Sequence, residues 1–475
     1  MAAPRHFQTL TVLGRGLRGG EITPVDLAEM YLERIASLDR KLGSFCLVLR
    51  ERALAQARAA QAALQSGVDL GPLHGLPWAA KDLLDVKGYP TTAGTRLLAD
   101  AIAQRDCAAV RRLDRAGMVL LGKTVTVQLA YGGVGINNDQ GTPHNPWSPA
   151  PHVPGGSSGG TAVAVAAGLV PVGLGTDTGG SVRIPAALCG LAGLKTTVGR
   201  VSRAGVYPLS FSLDSVGVLA RCVEDAALVY QELAGEDADD ETTAGVPPED
   251  ALSELRAGAR GMRLAFVEAP FFEGVDGEIV QAVREAARVL EGMGAHLATL
   301  SFPEAVEAHK LNPKGGVISA EAYAVNRGLL ENRYGELDPV IRERMRNGGA
   351  VTAPDYFEMT RRWAALRRDA RRSLAGVDAL LVPTTMIPPL PSGPLATDLA
   401  EYARRNVQYL RNTAIGNILG LCGLSVPCGF GKGGFPIGLM IYGKPFAERT
   451  ILRVGHAYEQ ATPWHDRAPD LSWAA

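Results

Sequence analysis

The stretch Val153–Pro185, VPGGSSGGTAVAVAAGLVPVGLGTDTGGSVRIP, decides how this chain is read. It opens with four glycines around two serines, runs through small apolar residues, and ends in a second turn, TDTGGS, that again closes on serine. Glycine at that density lets backbone approach something closely or adopt positive φ. SGGTAVAVAAG has the composition and length of a buried helix, and LVPVGLG those of a short buried strand. Ser157 then stands at a helix N-terminus, where free N–H groups and the helix dipole favour developing negative charge. Successive N–H groups in TDTGGS can form an anion-holding nest. One helix and one return strand between them would bring Ser157 and Ser181 together.

Three chemistries compete for this pattern. A phosphate loop needs a Lys–Ser/Thr pair after its glycines, and Gly160 is followed by Thr161. A hydrolase nucleophile elbow, formally matched by Gly155 to Gly159, must follow a strand directly. The preceding NPWSPAPHVP is too proline-rich for a central strand. The histidine such a triad requires is also missing from a suitable place, because His456 sits in a helical pattern and His465 near the tail. The third chemistry uses a lysine base, which burial can keep neutral. In GLPWAAKDLLDV, Lys81 follows an apolar strand, and alternation sends Asp82 to the opposite face.

Outward from these motifs the chain alternates helices and short apolar strands, which argues for α/β layers. Thr23 and Pro24 open a helix carrying Leu27, Tyr31 and Ile35 on one face. ERALAQARAAQAALQS, AAVRRLDRAG and EIVQAVREAARVLEG read as further helices, and MRLAFVEAP, AHLATLSF and VDALLVPTTM as strands. A long helical stretch is expected from about 319 to 374, and the acidic segment 235–254 reads as a solvated surface excursion. With 46% hydrophobic and 20% charged residues and a net charge of −1, the composition is that of an ordinary globular protein. It gives no reason to expect nucleic acid or an anionic membrane surface as a partner. The six cysteines form no CxxC pair, so neither a zinc ribbon nor a redox motif is supported. The N-terminus lacks the pattern of a secretory signal. The longest weakly polar run, Thr161–Gly175, is broken by Gly168 and Pro171 and too short to span a membrane. A cytoplasmic location is expected.

GLPWAAKDLLDVKGYPTTAGT, GTPHNPW, VPGGSSGGTAVAVAAG, GLGTDTGGSVRIPAALCGLAGLKTT and, near the C-terminus, GLSVPCGF with PIGLMIYGKPF together resemble the amidase signature family. The resemblance covers nearly the whole chain and is weakest between about 235 and 375. It implies one three-layer α/β/α domain over residues 1–475, with a large mixed β-sheet covered by helices on both faces. The signature core would span about 70–220, and helices of the 319–374 region would shape substrate access. It also implies a Ser–cisSer–Lys triad: Ser181 as nucleophile, Ser157 as bridging serine after a cis peptide bond, and Lys81 as base. Thr178, Gly179, Gly180 and Ser181 would supply the oxyanion-binding N–H groups. Ser158, Asp177 and Arg183 would support the site, the last two as an ion pair bracing the turn, and Thr176 is read as structural. No metal or organic cofactor is implied, and a homodimer is expected.

The family divides into free-standing amidases and the glutaminase component (the A chain) of glutamine-dependent tRNA amidotransferase. The catalytic motifs do not separate them. The segment RYGELDPVIRERMRNGGAVTAPDYFEMTRRWAALRRDARR looks like the free-standing hydrolases. The acidic residue that binds the glutamine ammonium in the amidotransferase component falls near Leu410 here, where no carboxylate stands. The reading is therefore a hydrolase of a small amide, anilide, urea or carbamate. The alternatives are the amidotransferase component or an esterase of the same family. TVQLAYGGVGINNDQ is expected to line the entrance, through Tyr131, Gly132 and Gly133. Little basic character is visible in the segments expected to form the pocket, so a strongly acidic substrate is not suggested.

Overall fold

A computed structural model describes residues 4–311 and 316–475. Among the described residues eleven strands form a single mixed sheet. They are β1 (Phe45–Val48), β2 (Pro77–Lys81), β3 (Val119–Thr124), β4 (Val172–Asp177), β5 (Ala192–Lys195), β6 (Ser215–Ala220), β7 (Arg263–Phe266), β8 (His296–Thr299), β9 (Ala379–Pro383), β10 (Cys422–Phe430) and β11 (Pro436–Gly443). Their spatial order is β1-β3-β2-β4-β6-β5-β10-β11-β9-β7-β8. Every residue of β2, β3, β4, β5 and β6 is buried, so both faces of the central sheet are covered. That burial explains why these strands read as continuous small-apolar runs instead of alternating ones. Among the described residues no helix is long and apolar enough to cross a membrane.

The helices follow their sequence signals. Thr23 caps the helix Pro24–Leu42 through a reciprocal capping box with Asp26, and Leu27, Tyr31 and Ile35 are buried along one side. The stretch expected as one long helix from 319 to 374 is instead three: Gly316–Asn332, Pro339–Arg346 and Ala353–Ser373. Prolines at the first turns of the second and third force new starts, with Asp338 and Thr352 as caps. Between them the chain packs so closely that a Cβ on Gly348 would overlap the Ser319 carbonyl oxygen.

Two parallel neighbours set up the site. β2 and β4 pair in register, Ala79 with Gly173 and Ala80 with Leu174, so their C-terminal ends finish at the same sheet edge. Lys81 is the last residue of β2 and Asp177 the last of β4. The chain crosses between Ser157 and β4 through the buried helix Gly159–Ala166, the helix-and-strand return read from sequence.

Candidate active site

The sheet edge collects four segments: the end of β2, the turn Gly155–Ser158, the turn Thr178–Ser181 and the loop 128–133. Lys81 is fully buried, and its Nζ lies 2.7 Å from Ser157 Oγ and 2.8 Å from Thr176 Oγ1. Thr176, read as structural from sequence, thus touches the amine directly. Lys81 has no ion-pair partner among the described residues. Burial lowers its pKa to about 7, against the upward pull of the Asp177 and Asp214 carboxylates. Its sequence neighbour Asp82 points to the other side of the strand, as alternation requires, and pairs with the buried Lys123 at 2.5 Å.

The peptide bond Gly156–Ser157 is cis. The Ser157 carbonyl accepts from Val127 N–H and Thr126 Oγ1, at 3.1 and 3.0 Å. Ser158 ties the two serine turns together, its N–H donating to the Ser181 carbonyl at 3.1 Å. The Ser158 hydroxyl donates to the Thr176 carbonyl at 3.3 Å. The Ser157 and Ser181 hydroxyls lie in adjoining turns and share no hydrogen bond.

The turn bearing Ser181 is organised by Asp177. Its carboxylate accepts from the N–H groups of Gly180 and Val182, at 2.9 and 3.1 Å. It also accepts from Arg183 Nε and Nη2, at 3.0 and 2.9 Å, and from Asn417 Nδ2 at 2.9 Å. Burial alone would raise the Asp177 pKa, but the Arg183 guanidinium outweighs it and holds the carboxyl well below the usual range. The ion pair that braces the turn is therefore present. The N–H of Gly180, one of the expected oxyanion donors, is bonded to Asp177. Gly180 has φ +140°, and a Cβ there would overlap Thr413 Oγ1, so only glycine fits.

Above Ser181 a narrow recess is walled by Tyr131, Gly132, Thr178, Gly179 and Leu209. It widens into a cavity of about 330 Å³ along the helix Leu399–Leu419, past Leu410, Ala414, Ile415 and Ile418. Tyr131 and Gly132 line the opening. Gly133 stands behind it, its N–H donating to Asn406 Oδ1 at 2.8 Å. The cavity also holds a residue that local sequence did not reveal. Arg344, from the helix Pro339–Arg346, borders both recess and cavity. Its guanidinium stacks 4.1 Å from the centre of the Tyr131 ring and donates to the Tyr131 carbonyl at 2.5 Å. Among the described residues no carboxylate pairs with it, and none lines either space. The expectation of little basic character in the pocket is corrected by this residue, which reaches the site from a segment far away in sequence, and by Arg411 and His309, which also line the cavity. Among the described residues no group of three or more His, Cys, Asp or Glu side chains could hold a metal ion.

The buried Lys81 amine thus meets the Ser157 hydroxyl, with Ser181 in the adjoining glycine turn. The family model for amidases matches residues 26–452, and the chain belongs to that family, whose enzymes act on carbon–nitrogen bonds. A Pseudomonas putida amidase is 39% identical over 98% of both chains. The A chain of the glutamyl-tRNA(Gln) amidotransferase from Chloroflexus aggregans is 37% identical over 99% of both. Among solved structures, the peptide amidase of Stenotrophomonas maltophilia is 31% identical with a TM-score of 0.82, covering 98% of this chain and 99% of that one. The 6-aminohexanoate cyclic dimer hydrolase is 26% identical with a TM-score of 0.89, covering 98% of this chain and all of the other.

Proposed function

We propose that this chain hydrolyses the carbon–nitrogen bond of a small amide, anilide, urea or carbamate through an acyl-enzyme on Ser181. The observation that carries the reading is Lys81: fully buried, without an ion-pair partner among the described residues, and hydrogen-bonded to Ser157. A neutral amine there accepts the Ser157 proton as Ser157 accepts that of Ser181, after the Ser181 side chain rotates toward it. Ser181 Oγ then attacks the carbonyl carbon. The N–H groups of Thr178, Gly179 and Ser181 stabilise the tetrahedral oxyanion. The proton returns through Ser157 to the leaving nitrogen, the C–N bond breaks, and water releases the acyl group by the same route. The core from about 70 to 220 carries the three reacting side chains, and the region 319–374 supplies Arg344 to the pocket.

Because the neutral amine is the active form, kcat/KM should rise with pH as Lys81 loses its proton, with an apparent pKa of about 7, and level off above it. A pH–rate profile on p-nitrophenyl acetate and an anilide checks this. An acid limb near 4 or near 10 would remove Lys81 from the base role.

The cavity selects an apolar body with an anionic group near Arg344. On a panel of neutral amides, the same amides bearing a carboxylate, and glutamine, the carboxylate-bearing amides should turn over best. Arg344→Gln should raise their KM about 10- to 100-fold, the loss expected for one charge-assisted pair, and leave neutral amides nearly unchanged. Equal effects on both groups would overturn the assignment.

The second reading, the glutaminase component of a glutamine-dependent tRNA amidotransferase, has the sequence relatives behind it. Arg344 could also pair with the α-carboxylate of glutamine. Against it stands a pocket whose lining holds no carboxylate for the glutamine ammonium, which would be desolvated without a partner. Glutamine turnover that appears only once the other amidotransferase components are supplied, and silence on every other amide, would decide for it.

A further inference from the structure

We infer that Asp214 is a positioning residue for the proposed reaction: it holds Thr178 in place at the oxyanion turn and ties that turn to the loop that walls the recess. The inference rests on the hydrolase reading above. Asp214 is buried at the start of β6, one residue before Ser215, which pairs with Asp177 across the β4–β6 ladder. Its Oδ1 accepts from Thr178 Oγ1 at 2.5 Å, and its Oδ2 from the N–H groups of Leu209 and Ser210, at 2.8 and 3.0 Å. One carboxylate therefore joins the turn bearing Ser181 to the loop whose Leu209 walls the recess.

That loop is itself fastened from outside. Glu321, on the helix Gly316–Asn332, accepts from the Ser210 hydroxyl, from Ser212 N–H at 3.1 Å and from Ser212 Oγ at 2.5 Å. The Tyr356 hydroxyl adds a fourth bond to Glu321 at 2.6 Å. The helices over the pocket are thus tied through Asp214 to the oxyanion donors.

The Asp214 carboxylate also acts on Lys81 through its charge. Two carboxylates face Lys81, Asp177 and Asp214. Asp177 is matched by Arg183, with Lys195 also near it. Asp214 makes no ion pair among the described residues. Arg203 donates to its backbone carbonyl at 3.4 Å and offsets its charge in part, while burial raises the Asp214 pKa. Converting Asp214 to a neutral residue removes a charge that favours the ammonium form, so more Lys81 is neutral at a given pH.

The test uses the full-length protein, p-nitrophenyl acetate as substrate and a fluorophosphonate as a probe of Ser181. Asp214→Asn should lower kcat about 10- to 100-fold with KM within about threefold, and move the acid limb of kcat/KM down by at least about 0.5 pH unit. Thr178→Val removes the tether and keeps the charge, so it should lower kcat similarly and leave the limb in place. Asp214→Asn or Thr178→Val with wild-type kcat overturns the proposal. Should Asp214→Asn fail to fold, Thr178→Val still decides the tether. Failure of the hydrolase reading shows separately, as wild-type protein whose Ser181 the fluorophosphonate does not label.

Discussion

Replacing Ser181 with alanine is expected to lower kcat/KM for every amide and ester the protein cleaves by at least about 10⁴-fold, with no change in thermal stability. The size follows from what the hydroxyl does. Without it there is no acyl-enzyme, and Lys81 and Ser157 have nothing to activate. What remains is catalysis by binding and by oxyanion donors, which in serine hydrolases leaves only about 10³- to 10⁴-fold over water. Stability is spared because the Ser181 hydroxyl makes no hydrogen bond among the described residues, so its removal leaves no buried partner unsatisfied. Two measurements check the result. Hydroxylamine added during turnover should trap the acyl group as a hydroxamate with wild-type protein and not with the variant. Thermal denaturation of the two should coincide. Residual turnover above about one part in 10², with trapping intact, would place the nucleophile elsewhere.

The parts of this site legible in the sequence are those held by short-range pattern. The apolar flank of Lys81 predicts a strand and an interior lysine, and alternation sends Asp82 to the other face, where Lys123 meets it. The glycine turns on either side of a small-residue helix and strand predict that Ser157 and Ser181 converge. The parts that are not legible depend on which distant segment fills the remaining space. Arg344 lies on a short polar helix, and nothing local distinguishes it from Arg342 or Arg346 beside it. Only the seating of that helix against Tyr131 makes it a pocket residue. The single long helix expected over 319–374 fails because the 3.6-residue pattern continues across Pro339 and Pro354, while those prolines restart the helix. That the Gly180 N–H is bonded to Asp177 is hidden for a similar reason. Sequence shows that a turn offers several N–H groups, and only the position of Asp177 shows which one is already used.

The largest effect on the fold is expected from Asp177→Ala. Arg183 has no exposure at all, and its charge is matched by Asp177. It also donates to Tyr442 Oη at 2.8 Å and to Asn417 Oδ1 at 2.5 Å, but both partners are neutral. Removing one member of a buried pair leaves the other charge uncompensated, at a cost of about 3–5 kcal/mol. The N–H groups of Gly180 and Val182 lose their acceptor in the same step. In a chain of this size the loss should lower the melting temperature by roughly 3–5 °C. The folded-state pKa of Asp177 lies below the ordinary carboxylate value, so its contribution is present above about pH 4 and fades only in stronger acid. The deficit should therefore be full at neutral pH and shrink toward acid. Activity should disappear with it, because the Ser181 turn loses the group that shapes it. The double variant Asp177→Leu/Arg183→Met removes both charges and should recover part of the melting temperature but none of the activity. A single variant that melts within about 1 °C of wild type would mean that Asn417, Tyr442 and solvent compensate Arg183 without the carboxylate. The bracing role assigned to the pair would then be wrong.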